Sequence, residues 1–215
     1  MRASWTPRLA AWRAREVLRE SGLRLLARKI FAEAFYRRLI VYEARLEAPR
    51  RVVDLQIPVQ FGLLGNDEVA DYLACVPGAD AEEIERHIYV GDRCYTARVC
   101  GEIVAVRWAA FHDVQVTSLG LTLRLGDEDV YLYGAYTRPQ WRRHGIAAAV
   151  TADILGRLEA EGYRRALSAW IPENVPARSL HPSRGDPMAI VGVVRIGPWT
   201  RQLRPRPVAA RSRFY

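Results

Sequence analysis

The strongest structural signal in this chain is the sequence YTRPQWRRHGIA, residues 136–147. Upstream of its end, Val130–Thr137 is rich in β-branched and aromatic residues, which is the composition of a strand. Pro139 has no backbone N–H and favours extended geometry at the residue before it, so we expect the strand to end there. The stretch therefore predicts the end of a strand, a basic turn and the start of a helix.

A long helix is predicted after this turn. Apolar residues recur once per helical turn along one face, at Ile146, Val150, Ile154 and Leu158. Gly162 follows the polar end of the helix and is a typical C-terminal stop. The turn thus connects a strand directly to a helix N-terminus.

Such a turn is suited to binding an anion. The first N–H groups of a helix have no partner within it, and together with the helix dipole they favour a phosphate. Gly145 would let the backbone approach the ligand, and Ala147 and Ala148 carry no bulky side chain. Three neighbouring side chains are positive or can become so: Arg142, Arg143 and His144. The alternative is a plain strand–turn–helix connection with a solvated arginine cluster.

One spacing in the turn resembles a known signature. Arg142-x-x-Gly145-x-Ala147 is similar to the pyrophosphate signature of the GNAT superfamily of N-acetyltransferases, in which Arg or Gln, Gly, and Gly or Ala stand at these positions. The resemblance implies an enzyme that moves an acetyl group from acetyl-CoA to a primary amine. It implies the following cofactor-binding residues in the turn and helix: Arg142, Arg143, His144, Gly145, Ile146, Ala147 and Ala148.

The order of predicted elements from Val52 to about Trp199 also resembles the GNAT fold, an α/β (α+β) fold with a mixed, mostly antiparallel sheet flanked by helices. In that family, a bulge splays the strand before the turn from its parallel neighbour, and pantetheine lies in the gap. The resemblance implies that the backbones of Ala135 and Thr137 hydrogen-bond the pantetheine.

The region after Ile171 matches the family less well. Asn174, Ala177 and Gly185 agree with the family pattern, but His181 stands where the family usually has a tyrosine. Asn174 could bind the pantetheine amide, or it could be a turn residue that satisfies its own backbone. His181 could protonate the leaving thiolate, since an imidazole titrates near neutral pH, or it could merely cover the cofactor or face solvent.

The sequence does not identify a general base. Tyr131 and Tyr133 share a strand face with Ala135 and Thr137, and could line an acceptor pocket. Four ionisable residues lie nearby in the sequence, namely His112, Asp113, Glu128 and Asp129. A water relay would serve equally well, so the base stays open.

The positive charge of this 215-residue chain is concentrated at its two ends. The net charge is +8, and residues 1–51 carry 13 Lys or Arg against five Asp or Glu. Residues 201–215 carry five Arg and no acidic side chain, which leaves residues 52–200 mildly acidic. A nucleic-acid or anionic-surface binder built on these ends is therefore one alternative function. The acidic central part and the absence of a helix-turn-helix, zinc or RNA-binding motif argue against nucleic acid.

Composition also bounds the compartment. No apolar stretch approaches the roughly 20 residues of a transmembrane helix, and charged residues interrupt the N-terminus, which is atypical of a signal peptide. Cys75, Cys94 and Cys100 have no metal-ligand spacing and cannot all pair. We therefore expect a cytoplasmic protein with reduced thiols and no metal.

We predict three parts in the chain. Residues 1–50 form a basic helical extension, with helices from Pro7 to Glu20 and from Leu23 to about Leu46, that could pack on the body, form a homodimer or lie on an acidic surface. Residues 52–200 form the acyl-CoA-binding domain, and residues 201–215 form a poorly ordered basic tail.

Within the domain, the remaining predicted strands are Val52–Pro58, Ala166–Ile171 and Val191–Trp199, together with a hairpin of Cys94–Val99 and Ile103–Phe111. Leu119–Leu125 is either another short strand or part of a loop before Asp127. The predicted helices run from Asn66 to near Cys75 and from Asp80 to about Tyr89. A non-catalytic CoA-binding module is a further alternative. The acceptor amine and the acyl chain length stay open.

Overall fold

An eight-stranded mixed sheet is the centre of the fold. The computed structural model of the chain describes residues 18, 36–47, 53–116, 121–170, 186–196 and 199–207. The strands are, in chain order, β1 (Tyr36–Arg45), β2 (Gln60–Leu63), β3 (Arg93–Val99), β4 (Glu102–Ala110), β5 (Val114–Val116), β6 (Leu121–Leu123), β7 (Asp129–Thr137), β8 (Arg165–Trp170), β9 (Asp186–Ile196) and β10 (Trp199–Pro207). The described helices are α1 (Val69–Cys75), α2 (Ala81–Tyr89) and α3 (Ile146–Ala160).

Across the sheet the strand order is β10-β9-β1-β8-β7-β4-β3-β2, and β5 and β6 pair separately. The β7–β8 pair is parallel, and the other pairs in the sheet are antiparallel. The prediction of a mixed, mostly antiparallel sheet flanked by helices is confirmed. The predicted hairpin is β3–β4, and the crossover from the signature strand through a helix to a parallel strand is β7–α3–β8.

The core has one layer on each face of the sheet. On one face α3 packs with Ile146, Val150, Ile154 and Leu158, the predicted apolar stripe, all of them buried. On the other face, α1 and α2 cover a second cluster that includes Trp108 of β4. The candidate functional site lies at the ends of β7 and β8, between these two layers.

The predicted helix from Leu23 to about Leu46 is wrong over Tyr36–Arg45, which is β1. This strand lies between β8 and β9, and Ile40 is opposite Trp170 on one side and Ile190 on the other. A short apolar run fits a helix or a buried strand equally well, and here the partner strands decide the outcome.

The predicted strand Val52–Pro58 is also wrong, since residues 53–58 form no strand. Their side chains still alternate between half-buried and exposed, and Leu55 and Ile57 pack against the core under α3. The segment therefore packs on the core without joining the sheet, and the edge strand of the sheet on this side is β2.

Strands occupy more of the described C-terminal residues than predicted. The strand expected at Val191–Trp199 is β9, which starts earlier, and β10 occupies much of the segment expected to be a poorly ordered tail. The edge of β9 offers backbone hydrogen bonds to β10, and an edge strand tolerates proline. The sheet thus crosses both boundaries of the predicted three-part division, which otherwise stays a prediction.

Several predicted features lie outside the described residues. They are the helix from Pro7 to Glu20 apart from residue 18, the start of the helix from Leu23, and, beyond β8, Asn174, Ala177, His181 and Gly185.

Candidate functional site

A gap opens between the two parallel strands at the centre of the sheet. Asp129–Leu132 of β7 pairs with Arg165–Ser168 of β8, but the pairing stops there. On its other side, β7 remains paired with β4 as far as Thr137. The strands β7 and β8 therefore separate after Leu132, and residues 133–137, roughly 16 Å of strand at about 3.3 Å per residue, border the gap.

A bulge in β7 accompanies this separation. Trp108 of β4 is opposite Tyr133, whereas Val106 is opposite Tyr136, so β7 has one residue more than β4 over this interval. Gly134 lies in the bulge with φ +59°, and a Cβ added there would lie 2.9 Å from Cδ1 of Trp108. Only glycine fits this position without displacing the indole.

The backbone of β7 beyond the bulge presents polar groups to the gap. The N–H of Arg138 donates to the carbonyl of Val104 at 2.9 Å, which fixes which residues of β7 face β4. Because backbone groups alternate along a strand, those of Thr137 and Ala135 face the opposite side. The carbonyl of Thr137 there accepts from Nε of Arg142 at 3.0 Å.

The basic turn folds back onto the end of β7. Besides its bond to β7, the Arg142 guanidinium lies 5.7 Å from the centre of the Tyr136 ring. Nδ1 of His144 lies 2.9 Å from the carbonyl of Arg142, which accepts its proton. Arg143 and His144 are exposed. Arg142 thus ties the turn to β7, and His144 makes a bond within the turn itself.

Helix α3 begins at the end of this turn without a side-chain cap. Its N-cap is Gly145, with φ +78°, and the first intrahelical bond runs from the N–H of Ala149 to the carbonyl of Gly145. The N–H groups of Ile146, Ala147 and Ala148 precede that bond and have no partner within the helix. The predicted strand–turn–helix geometry is therefore present beside the open end of the gap.

A buried carboxylate lies near the closed end of the gap, on the face covered by α1 and α2. The side chain of Asp92 is 3% exposed. Its Oδ2 accepts from the Tyr133 hydroxyl at 2.5 Å and lies 2.8 Å from Nδ1 of His87, while Nε2 of His112 lies 2.9 Å from Oδ1. Burial alone would raise the pKa of Asp92, but the hydrogen bonds from His87 and Tyr133 and the charge of His112 hold that pKa below its ordinary value. We call these four residues the Asp92 cluster.

The end of α2 positions two members of the Asp92 cluster. The N–H of Asp92 donates to the carbonyl of His87 at 2.9 Å, and the N–H of Gly91 donates to the carbonyl of Ile88 at 3.0 Å. These two bonds form a Schellman motif, in which Gly91 adopts a φ of +91°. The motif turns the chain so that Asp92 comes back beside the His87 ring.

Aromatic side chains surround the Asp92 cluster. Trp108 lies 5.3 Å from the His87 ring and donates from Nε1 to the Tyr72 hydroxyl at 3.0 Å. The rings of Tyr131 and Tyr133 stack with their centres 6.0 Å apart. Tyr131 is buried and Tyr133 half-buried, and a role for either in an acceptor pocket stays a prediction.

The structure separates the four ionisable residues considered as a base. Asp129 accepts two hydrogen bonds from Arg165, at 2.6 and 2.7 Å. Glu128 pairs with Arg164 at 3.1 Å. Asp113 accepts from the N–H of Leu125 at 2.9 Å. These three carboxylates fasten strand ends and loops, and His112 is the one that joins the Asp92 cluster.

Sequence reasoning missed His87 and Asp92. No short motif links them to Tyr133 or His112, because the four residues come from α2, the turn after it, β7 and the loop after β4. One local signal was available: a glycine and an aspartate directly follow the predicted end of α2, which is typical of a helix stop that turns the chain back.

Comparison with known proteins agrees with this geometry. Residues 64–185, more than half of the chain, match the model of the family described as the acetyltransferase (GNAT) family. The chain belongs to the GNAT family. The matched residues include β7, the basic turn and α3.

Solved structures are similar to this GNAT chain in fold. A Drosophila protein aligns with a TM-score of 0.51 and 14% identity over 79% of this chain and 54% of that one. A GNAT-family protein from Novosphingobium aromaticivorans gives 0.48 and 18% over 73% and 65%, and a GCN5-related N-acetyltransferase from Sphaerobacter thermophilus gives 0.47 and 15% over 70% and 48%. The chain spans less than two thirds of the length of each of these structures. No curated protein matches it.

Two kinds of feature are absent from the described residues. None of their helices combines the length and apolar character needed to span a bilayer. None of their His, Cys, Asp and Glu side chains form a group of three arranged to hold a metal ion.

Proposed function

We propose that this GNAT protein transfers the acetyl group of acetyl-CoA to a primary amine. Membership of the family supports acetyl transfer in general. The observation that carries the finer proposal is the gap between β7 and β8, which runs from the uncapped start of α3 to the Asp92 cluster. It connects an anion-binding turn to a group of side chains that can move a proton.

The chain offers groups suited to each part of acetyl-CoA. We assign the pyrophosphate to the N–H groups of Ile146, Ala147 and Ala148, where helix-terminal amides favour a phosphate. Exposed Arg143 and His144 would add positive charge around it. Residues assigned from the family resemblance complete the proposed site: Ala135 and Thr137 for pantetheine, Arg142 and Gly145 for the turn, Asn174 for the pantetheine amide, and His181 as proton donor.

The chemistry requires little beyond positioning and proton transfer. Acetyl-CoA supplies an activated acetyl thioester, and the protein has to hold an unprotonated amine against it. A gap that is open at one end and closed by paired strands at the other would fix how far the thioester enters. The panel of four amines described below tests which amine accepts the acetyl group.

The phosphate assignment can be tested at Ala148. A change at Gly145 would confound the test, since its φ is +78° and a Cβ there would lie 3.3 Å from Cγ1 of Val53. Ala148→Glu instead adds a negative charge in the first turn of α3, which favours the helix but opposes a phosphate. We expect Ala148→Glu to raise the Kd for acetyl-CoA at least tenfold, by calorimetry, while its melting temperature stays within about 2 °C of the wild type.

Ala148→Gln is the matched control, because it has the same size without the charge. We expect its Kd to stay within about threefold of the wild-type value. Equal affinity of the Glu and Gln variants for acetyl-CoA would contradict the assignment of the pyrophosphate to the start of α3. A wild-type protein that releases no thiol from acetyl-CoA with spermidine, glucosamine, L-lysine or an alanine-terminated peptide would contradict amine acetylation.

We further propose that the protein works in the reducing cytoplasm. Its three cysteines are all free, with Cys75 and Cys94 buried and Cys100 exposed. A compartment that keeps thiols reduced suits this arrangement.

A further inference from the structure

The two histidines of the Asp92 cluster differ in the contacts that their ring nitrogens make. Nδ1 of His87 faces Oδ2 of Asp92 at 2.8 Å and the Tyr133 hydroxyl oxygen at 2.9 Å. Its other nitrogen, Nε2, makes no hydrogen bond to the part of the chain that the structure describes, and lies 4.0 Å from Oε1 of Glu83. The His87 side chain is 26% exposed, so the ring is not fully enclosed by the core.

His112 has a polar protein atom close to each of its ring nitrogens. Its Nδ1 lies 3.0 Å from the carbonyl oxygen of Asp113, and its Nε2 lies 2.9 Å from Oδ1 of Asp92. The contact with Oδ1 is an ion-pair contact and not a hydrogen bond, since Oδ1 has no hydrogen-bond partner among the described residues. Of the two histidines, His87 is therefore the one that keeps a ring nitrogen without such a close contact.

Asp92 fixes the tautomer of His87. Its pKa is held low, so the carboxylate is ionised; it accepts from the His87 ring and from Tyr133, and it lies beside His112. A proton on Nδ1 of His87 satisfies this contact and leaves the lone pair on Nε2. The nearby carboxylate also stabilises the imidazolium that forms when Nε2 takes a proton.

The Asp92 cluster lies where the proposed reaction would occur. Tyr133 directly follows Leu132, the last residue of β7 that pairs with β8. A cofactor that enters at the start of α3 and runs along residues 133–137 would bring its acyl end to this point. The inference below rests on the proposed function in this respect.

We propose that His87 is the general base for the acceptor amine and that Asp92 is a positioning residue acting through it. Nε2 of His87 takes one proton from the ammonium group, and the freed lone pair on nitrogen attacks the carbonyl carbon of the thioester. The C–N bond forms and the C–S bond breaks, with the bonding pair leaving on sulfur. The second proton lost by the nitrogen ends on that sulfur, and the proton on His87 passes to water.

The charged groups near His87 are Asp92 and Glu83, whose carboxylates face the ring, and His112, which contacts Asp92. A general base has to be neutral before it can take a proton. Tyr133, which contacts the ring from β7, stays neutral because burial and the nearby Asp92 raise its pKa. Activity that requires neutral His87 should therefore rise with pH to a plateau.

The first test is independent of turnover. In ¹⁵N-histidine-labelled protein, we expect neutral His87 to carry its proton on Nδ1, identified by NMR from the resonance that His87→Gln removes. Neutral imidazole in which the proton is on Nε2 would overturn the inference, because the proposed base would then have no lone pair there.

The second test compares pH profiles, using the amine from the four-compound panel above that gives the fastest thiol release. We expect His87→Gln to lower kcat/KM about 100-fold, to abolish the rise of kcat/KM with pH, and to leave the Kd for acetyl-CoA within about threefold. His112→Gln, the matched control, should lower kcat/KM less than tenfold and keep the rise. Asp92→Asn should keep the rise but move it to lower pH, since the imidazolium loses its negative partner.

The outcomes separate this inference from the function on which it rests. An active wild type whose pH profile survives in His87→Gln overturns the assignment of the base alone. If His112→Gln loses the rise of kcat/KM with pH and His87→Gln keeps it, the base is His112, and the assignment to His87 is overturned. Wild-type protein that binds acetyl-CoA but acetylates none of the four amines overturns both.

Discussion

At the scale of single residues, the gap between β7 and β8 depends on Gly134. The bulge gives β7 one extra residue opposite β4, and the left-handed backbone at this residue is what accommodates it. The indole of Trp108 fills the space where a side chain would be. Two independent constraints, conformation and contact, thus select glycine at the point where the strands separate.

We predict that Gly134→Ala is destabilising and impairs cofactor binding. A φ of +59° and a Cβ 2.9 Å from Cδ1 of Trp108 should together cost about 1–3 kcal/mol in the free energy of unfolding, measured by urea titration. Relief of this strain requires the bulge to change shape, so acetyl-CoA should also bind at least tenfold more weakly.

Gly62→Ala is the control for a glycine in a strand. A Cβ at this position would meet only Oγ1 of Thr96, at 3.8 Å, so its free energy of unfolding should change by less than about 0.5 kcal/mol. Equal stability of the two alanine variants would show that the bulge tolerates a side chain.

At the scale of elements, an ion pair fastens the paired ends of β7 and β8. Arg165, the first residue of β8, donates twice to Asp129, the first residue of β7, and the N–H of Gly126 also donates to this carboxylate at 2.9 Å. Burial alone would raise the pKa of Asp129, but these hydrogen bonds hold it below the ordinary value. The closed end of the gap is therefore the end that is held most firmly.

We predict a pH-dependent loss of stability in Asp129→Asn. Because the pKa of Asp129 is lowered by folding, its contribution is present above its ordinary pKa of 3.8 and is lost as the pH falls below it. At pH 7 the variant should unfold with about 1–2 kcal/mol less free energy than the wild type, since Arg165 is half exposed and its hydrogen bonds are partly screened. At pH 3 the difference should shrink.

Urea titrations at the two pH values measure this difference. Asp153→Asn, which removes a surface pair with Arg157 on α3, should cost less than about 0.5 kcal/mol at pH 7. A deficit of Asp129→Asn that is as large at pH 3 as at pH 7 would rule out the charged form as its source.

Elements whose signals are local could be predicted from the sequence. Pro139, Gly145 and the apolar stripe of α3 lie within about 20 residues of one another, and they fix where β7 ends and α3 begins. The segment Tyr36–Arg45 was missed because its apolar residues fit either periodicity, and its neighbours in the sheet are more than 100 residues away. Residues 53–58 have the alternation of a strand, but no neighbour strand pairs with them.

The candidate site divides in the same way. The turn proposed to bind phosphate is contiguous in sequence, so its residues could be predicted from the sequence. The residues of the Asp92 cluster come from four different elements. The separation of His87 and Tyr133 in the sequence does not predict that they are in contact. Tertiary packing alone brings them together.

At the scale of the whole molecule, cysteine reactivity reports how well the core is closed. Burial raises the pKa of Cys75 to about 11 and also raises that of Cys94, so neither forms much thiolate at neutral pH. We predict that an aromatic disulfide reagent titrates one thiol, Cys100, rapidly in the native protein, and all three after denaturation.

Cys100→Ser should then show no rapidly reacting thiol while native. Rapid reaction of two or three thiols in the native wild type would mean that α1, which carries Cys75, opens readily from the sheet.

The position of β1 has a consequence for synthesis of the protein. Ile40 pairs with Trp170, so roughly 130 residues must follow before its partner exists, which takes roughly 7–25 s at 5–20 residues per second. During that time the strand has neither neighbour, and an unpaired strand edge invites association with other chains. Although β1 is made before its two neighbours, it can join the sheet only after they have been made. A nascent chain of this protein would therefore benefit from a chaperone until β8 and β9 have left the ribosome.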